Sequence, residues 1–121
     1  MAYDSNNIFA RLLRGEIPAK KLYEDEHTLA FHDIRPQAPV HVLVIPKGGY
    51  ESLDDFSATA SQAEQAALMK AIGQVARLTG VDKTGYRVLS NIGRDGHQEV
   101  PHLHFHVIGG RQLGRMIPKA E

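Results

Sequence analysis

The amino-acid sequence predicts an α+β fold, an antiparallel sheet of about five strands with one short and one long helix. Three observations predict it. Residues 102–107 alternate strictly between histidine and apolar side chains, which is typical of a strand with two unlike faces. Residues 40–45 form a nearly continuous apolar run, as in a central strand buried on both faces. A capped helical segment over residues 61–79 separates them, so the order is helix, hairpin, strand, long helix, strand, strand.

The residue pattern in the first third of the chain predicts a short helix followed by a β-hairpin. Ser5 can cap a helix over residues 6–14, whose apolar stripe ends before Gly15. Residues 21–24 and 28–34 are interpreted as two strands joined by a tight connection. Two prolines make residues 35–39 a rigid loop before the central strand.

The rest of the chain supplies the long helix and two strands. Residues 50–60 are expected to be irregular, and Ser61 with Glu64 forms a capping box for a helix that runs to about Thr79. Strands follow at residues 86–91 and, after a polar glycine loop, at 102–108. With the helices against one side of the sheet, we expect the histidine face to be open.

Composition limits the class of protein. The 121 residues are expected to form one domain over residues 1–121. The absence of cysteine excludes disulfides, thiolate metal sites and a cysteine nucleophile. Acidic and basic residues number 14 each, so there is no bulk attraction to nucleic acid or to an anionic membrane. Since no secretory signal and no membrane span is visible, we expect a cytoplasmic protein.

The histidines are the candidate functional residues. On a strand, His102, His104 and His106 would share one face at intervals of roughly 7 Å. His41 interrupts the apolar central strand, so it must find a polar partner, and a hydrogen-bond chain from His41 through His106 to His104 would supply one. Such a face could hold zinc, or a neutral imidazole held through its Nδ1–H could attack phosphorus with Nε2. The spacing does not decide between them, although three histidines around an anion favour partial imidazolium, which suits phosphate.

Two neighbouring segments favour an anion. The glycine loop from Asn91 to Gln98 offers backbone amides and a side-chain amide beside the histidine face, and so predicts an anion cradle. Asp33, at the end of the second strand, offers a carboxylate that could accept two ribose hydroxyls.

The segment His102-Leu103-His104-Phe105-His106-Val107 resembles the signature of the histidine triad (HIT) superfamily, in its nucleotide-binding branch. The resemblance covers most of the chain. Its further matches, in order, are Ile8-Phe9, Gly15 to Pro18, Leu29 to Ile34, Pro36 to Pro39, His41 to Lys47, Gly85 to Arg87, Asn91, Gly93, Asp95-Gly96 and Gly109 to Arg111.

The resemblance implies a homodimer, with its sheet extended across the dimer, that hydrolyses purine nucleoside 5′-phosphoramidates without a metal or other cofactor. His104 matches the nucleophile that forms a nucleotidyl-histidine, and His102 and His106 match the flanking positions that bind and orient. His41 matches a fourth histidine that relays through His106. The residues that match nucleotide-binding positions are His32, Asp33, Ile34, Asn91, His97, Gln98, Glu99, His104 and His106.

Two departures bear on the leaving group. Glu99 stands where eukaryotic members often have serine, and the eukaryotic Trp-Pro-Pro tail is replaced by Leu113 to Pro118. A carboxylate there would repel phosphate and attract a cationic amine. The alternative functions are a dinucleotide polyphosphate hydrolase and a nucleotide-binding regulatory module with little turnover.

Overall fold

The computed structural model describes residues 3–118, which form a five-stranded antiparallel sheet and three helices. The strands lie in the order β1-β2-β3-β5-β4, so β3 is central and β1 and β4 are the edges. No helix in this part of the chain has the length and apolar character needed to cross a bilayer. In chain order the elements are α1 Ile8–Leu13, β1 Lys21–Glu24, β2 Thr28–His32, β3 Val40–Pro46, α2 Leu53–Thr59, α3 Gln62–Thr79, β4 Tyr86–Leu89 and β5 Phe105–Gly109.

The central strand β3 is buried on both faces, as its apolar run predicts. It pairs with β2 on one side and β5 on the other, and Val42 lies opposite Val107. Val42 and Val44 face the α3 side of the sheet, where they pack in a core with Leu68 and Val75. The intervening side chains therefore face the opposite layer.

The opposite layer contains a second core, which the sequence analysis did not anticipate. Its buried members are Phe9, Leu12, Leu29, Phe31, Leu43 and Ile45. Leu43 lies opposite His106 in the pairing of β3 with β5, so α1 packs on the histidine face of the sheet. The expectation that all helices lie on one side, leaving the histidine face open, is wrong. The physical reason is that the apolar residues of β2 and β3 on this face also require cover.

Helix starts follow their capping side chains. The capping box of Ser61 and Glu64 begins α3, as predicted, and Gly80 ends it with a left-handed φ of 82°. Helix α1 is capped by Asn7 rather than by the predicted Ser5. The Asn7 Oδ1 atom accepts hydrogen bonds from the N–H groups of Phe9 and Ala10 at 3.0 and 2.9 Å.

Helix α2 was not predicted, because residues 50–60 were expected to be irregular. Ser52 caps it and Asp55 completes a capping box. The helix has only seven residues and buries a single one of them, Phe56, so it offers no apolar stripe to recognise.

Three strands end earlier, or begin later, than predicted. Strand β2 stops at His32 instead of residue 34, β4 stops at Leu89 instead of residue 91, and β5 starts at Phe105 instead of residue 102. Before Phe105 the chain leaves the ladder, because the N–H of Leu103 donates to the Tyr50 carbonyl at 2.8 Å. His102 and His104 thus lie in the irregular segment that leads into β5, and strand geometry does not govern their side chains.

Candidate active site

A cavity of about 500 Å³ opens on the α1 side of the sheet, at the start of β5. It brings together eight residues that the sequence analysis assigned to a site: His32, Asp33, Ile34, Asn91, His97, Glu99, His104 and His106. His41 does not line this cavity; it lines an adjoining cavity together with His32 and Asp33. The predicted residues His102 and Gln98 line neither cavity.

His104 is held as a neutral ring whose free nitrogen is Nε2. Its Nδ1 lies 2.7 Å from the carbonyl oxygen of His102. Because a carbonyl can only accept, Nδ1 carries the proton and the Nε2 of a neutral ring keeps its lone pair. Burial lowers the pKa of His104, and the ring of Phe9 packs edge-on against it at 5.1 Å between centroids. A neutral imidazole with an unprotonated Nε2 at the cavity is suited to nucleophilic attack.

His106 presents the complementary group, an N–H donor. The backbone N–H of Gln37 donates to the Nδ1 of His41 at 2.9 Å, so the proton of neutral His41 lies on Nε2. That nitrogen lies 2.8 Å from the Nδ1 of His106, which therefore accepts. The proton of His106 is left on Nε2, a buried atom with no hydrogen-bond partner among residues 3–118.

Of the predicted hydrogen-bond chain, the bond between His41 and His106 is present, and the bond between His106 and His104 is absent. The rings of His104 and His106 meet nearly perpendicularly with centroids 5.3 Å apart, and no hydrogen bond joins them. Burial lowers the pKa of His106 to about 4, and the neighbouring rings of His104 and His41 act in the same direction. Burial also lowers the pKa of His41, against the attraction of Asp33, whose Oδ2 lies 3.4 Å from its Nε2. Burial therefore favours neutral rings at this cavity, and the partial imidazolium expected around a bound anion stays a prediction.

His102, expected to bind and orient the substrate, does not line the cavity. Its side chain is wholly buried, with Nε2 donating to the Pro46 carbonyl at 2.8 Å and Nδ1 bonded to the Tyr3 hydroxyl. Burial lowers the pKa of His102 to about 4. Its observed contribution to the site is its own carbonyl oxygen, which orients His104.

The glycine loop, predicted to be an anion cradle, uses some of its polar groups to hold its own shape. The backbone N–H groups of His97 and Gln98 donate to carbonyls within the loop. The Gln98 amide nitrogen donates to the carbonyls of Glu51 and Val100, and its oxygen accepts from the Gly93 N–H. Within residues 3–118, Glu99 is the one of these three whose backbone N–H makes no hydrogen bond.

Two exposed side chains, His97 and Glu99, lie close together at the mouth of the cavity. His97 adopts a left-handed φ of 58°, which is uncommon outside glycine, and its Nε2 lies 3.3 Å from the Glu99 Oε1. The Glu99 side chain is 78% exposed, so its carboxylate faces solvent beside the opening.

An apolar wall completes the cavity, and the sequence analysis assigned it only to packing. It consists of Ile8, Phe9, Leu12, Ile17, Pro18, Ala19, Phe31, Leu43 and Val100. One usable signal was the stripe of α1, since Ile8 belongs to it and yet remains 46% exposed. Ser90 was also missed; its hydroxyl donates to the His104 carbonyl at 2.7 Å and fixes the backbone of that residue.

One group of potential metal ligands occurs among the described residues, and it is not the three histidines of the motif. It comprises Asp33, His41 and His106, whose ligand atoms lie within 4.8 Å of one another. Both nitrogens of His41 already bond within the protein, to Gln37 and His106. A metal ion would have to displace one of these bonds, so the donor set favours the hydrogen-bonded relay.

The fold and site define a class of α+β proteins in which the chain entering a strand carries a neutral histidine with an unprotonated Nε2 beside a second histidine whose Nε2 bears a proton. A family model for the HIT domain matches residues 14–113. The chain belongs to the HIT family.

Relatives extend the match over nearly the whole chain. An uncharacterized HIT-like protein of Azospirillum brasilense is 65% identical over 97% of this chain and 96% of its own. The purine nucleoside phosphoramidase of Escherichia coli is 41% identical over 91% of this chain and 92% of its own. A histidine triad protein from Clostridium difficile, whose structure is solved, aligns over all of both chains with 40% identity and a TM-score of 0.80.

The buried histidines predict a stability that depends on pH. His102 and His106 have pKa values of about 4 when folded, against 6.5 for the free ring. Between pH 6.5 and 4 the unfolded chain binds more protons, so the free energy of unfolding falls as the pH is lowered through this window. For His102 the loss amounts to roughly 3 kcal/mol.

Urea unfolding at several pH values and an NMR titration of the imidazole rings measure this effect. The variant His102→Asn should show a shallower dependence, because one titrating ring is gone. Titration of His102 near pH 6.5 in the folded protein would contradict its burial.

Proposed function

We propose that this protein is a hydrolase that cleaves the P–N bond of purine nucleoside 5′-monophosphate amines through a nucleotidyl-His104 intermediate. The observation that carries the proposal is the pairing of an unprotonated Nε2 on His104 with the partnerless Nε2–H of His106 in one cavity. The similarity to the purine nucleoside phosphoramidase of Escherichia coli supports the substrate class.

The proposed reaction has two displacements. The Nε2 lone pair of His104 attacks phosphorus, the P–N bond breaks, and the amine departs with a proton taken up at the open mouth of the cavity. Water then attacks phosphorus and gives up a proton to solvent, the bond between His104 and phosphorus breaks with its electron pair returning to Nε2, and the nucleoside monophosphate leaves. The Nε2–H of His106 would donate to a phosphoryl oxygen, where its hydrogen bond strengthens as negative charge develops.

The cavity also divides in a way that fits a nucleotide. The apolar wall from Ile8 to Ile17 and Phe31 gives a base a surface to pack on. Asp33 also lines the cavity, its Oδ1 accepts from the Arg35 N–H at 2.8 Å, and it would bind the ribose. His32 and Ile34 adjoin it in sequence, and Asn91 and the backbone of Glu99 would contact the phosphate.

We also propose that the working unit is a homodimer with the sheet continued across it. Strand β4 is an edge, so its outer backbone groups are free to pair with a copy of itself about a two-fold axis. Tyr86 and Val88 are 41% and 40% exposed, and they line a groove with Met69, which is 71% exposed. A neutral chain offers no bulk charge repulsion to such pairing.

Sedimentation velocity tests the dimer. Met69→Asp should shift the protein toward the monomer, because it places a charge in the apolar groove. The matched change Met116→Asp, at a methionine that is 57% exposed and lies outside the groove, should leave the dimer unchanged. A wild-type chain that sediments as a monomer would contradict the proposal.

Replacing the nucleophile tests the reaction. His104→Ala should lower kcat for an adenosine phosphoramidate by about 10⁴-fold or more while AMP still binds, because the covalent route is lost. Acid quenching of the wild-type reaction followed by mass analysis should find the nucleotidyl group on His104. The matched variant His27→Ala, in the β1–β2 turn, should retain full turnover.

Other outcomes would identify the alternatives. Turnover that survives in His104→Ala excludes covalent catalysis by this ring. Faster cleavage of diadenosine polyphosphate than of the phosphoramidate would indicate the dinucleotide hydrolase, and AMP binding without release of amine would indicate a regulatory module. Stoichiometric metal, with activity lost to a chelator, would indicate the zinc hypothesis.

Glu99 should influence which amines leave. Its exposed carboxylate at the cavity mouth attracts a cationic leaving group, so Glu99→Ser should lower kcat/KM for such substrates by roughly two- to fivefold, the effect of one exposed charge pair. Neutral amines and AMP binding should change little. The control Asp95→Ser removes a carboxylate from the same loop outside the cavity. Equal effects on all substrates would show that Glu99 does not select the amine.

A further inference from the structure

We propose that Tyr3, in the segment that precedes α1, is a positioning residue for the nucleophile His104 and acts through the buried ring of His102. The proposal rests on the proposed function for its kinetic consequence. Its structural part concerns which nitrogen of each ring carries the proton, and that part can be tested without any substrate.

The direction of each hydrogen bond around His102 is fixed by its partners. The Pro46 carbonyl can only accept, so the Nε2 of His102 donates to it and carries the proton. The neutral ring then has an unprotonated Nδ1, which must accept from the hydroxyl of Tyr3. Tyr3 is thus the group that satisfies the second nitrogen of a wholly buried histidine.

Asn7 fixes the tyrosine in turn. Its Nδ2 donates to the Tyr3 oxygen at 2.8 Å and to the Asp4 carbonyl at 2.7 Å, and its Oδ1 caps α1. With the lone pair of Tyr3 engaged by Asn7, the phenol proton is directed to His102. The same asparagine therefore connects the helix that carries part of the apolar wall to the histidine that orients the nucleophile.

The consequence for His104 follows from its own anchor. The carbonyl of His102 accepts the Nδ1–H of His104 at 2.7 Å and so leaves Nε2 free for attack. If His102 loses the Tyr3 hydroxyl, its buried Nδ1 is unsatisfied and the residue can relieve that cost only by turning its ring or changing tautomer. Either change gives up the bond from the His102 ring to the Pro46 carbonyl, and we expect the resulting shift to weaken the bond between the His102 carbonyl and His104. His104 could then populate the tautomer with Nε2 protonated, which cannot attack phosphorus.

The variant Tyr3→Phe tests this, because it removes one oxygen atom and keeps the ring. The loss of one hydrogen bond to a buried acceptor predicts a kcat about tenfold lower with KM within twofold of wild type. Nitrogen-15 spectra of the imidazole rings, recorded on the free protein, should show the His102 Nδ1 signal displaced and the His104 signals averaged between two tautomers. Asn7→Asp should act in the same direction, since it keeps a cap for α1 but draws the phenol proton to its carboxylate.

Tyr23→Phe is the matched control, since it removes a phenol that donates to Asp25 at 2.9 Å away from the histidines. It should leave kcat and all imidazole signals unchanged. Unchanged imidazole signals in Tyr3→Phe would overturn the proposal, as would a loss confined to KM. If the wild-type protein cleaves no phosphoramidate while Tyr3→Phe shows the imidazole changes, the proposed function is overturned and the positioning by Tyr3 is supported.

Discussion

The site depends on backbone groups that bond to the imidazole nitrogens and so fix the tautomer of each ring. A carbonyl can only accept and an amide N–H can only donate, so each contact assigns a proton. His104 faces a carbonyl through Nδ1, and His41 faces the Gln37 N–H through Nδ1. The fold therefore presents a bare nitrogen on one ring and, through His41, an N–H on His106, in the same cavity.

Burial maintains these assignments at neutral pH. Because the low-dielectric surroundings penalise the charged ring, the pKa values of His41, His102, His104 and His106 all lie below the usual value. An anion that entered would meet neutral donors, and its own charge would then favour protonation of the rings around it. Burial thus favours an unprotonated Nε2 on His104, the state that the proposed attack on phosphorus requires.

Local signals in the sequence predicted those parts of the fold that local chemistry decides. The apolar run from Val40 predicted the central strand, and Ser61 with Glu64 predicted the start of α3. The alternation of histidines predicted a row of rings, but alternation places side chains on one face only while the ladder continues. The ladder begins at Phe105 because Leu103 bonds to the Tyr50 backbone, 53 residues earlier in the numbering, and no local pattern reports such a contact.

The difference between local signals and contacts distant in sequence also separates the predicted site residues from those that were missed. His41 was identifiable because a polar residue within an apolar strand must have a partner, and His106 is that partner. Gln98 was expected to contact the phosphate through its backbone, but its N–H donates to the Gly93 carbonyl, and its side-chain amide bonds to Gly93, Glu51 and Val100. Tyr3 and Asn7 lie before residue 14, where the match to the HIT family model begins. Tyr3 bonds to the His102 ring and Asn7 bonds to Tyr3, so a segment outside that match contacts the residue whose carbonyl holds His104.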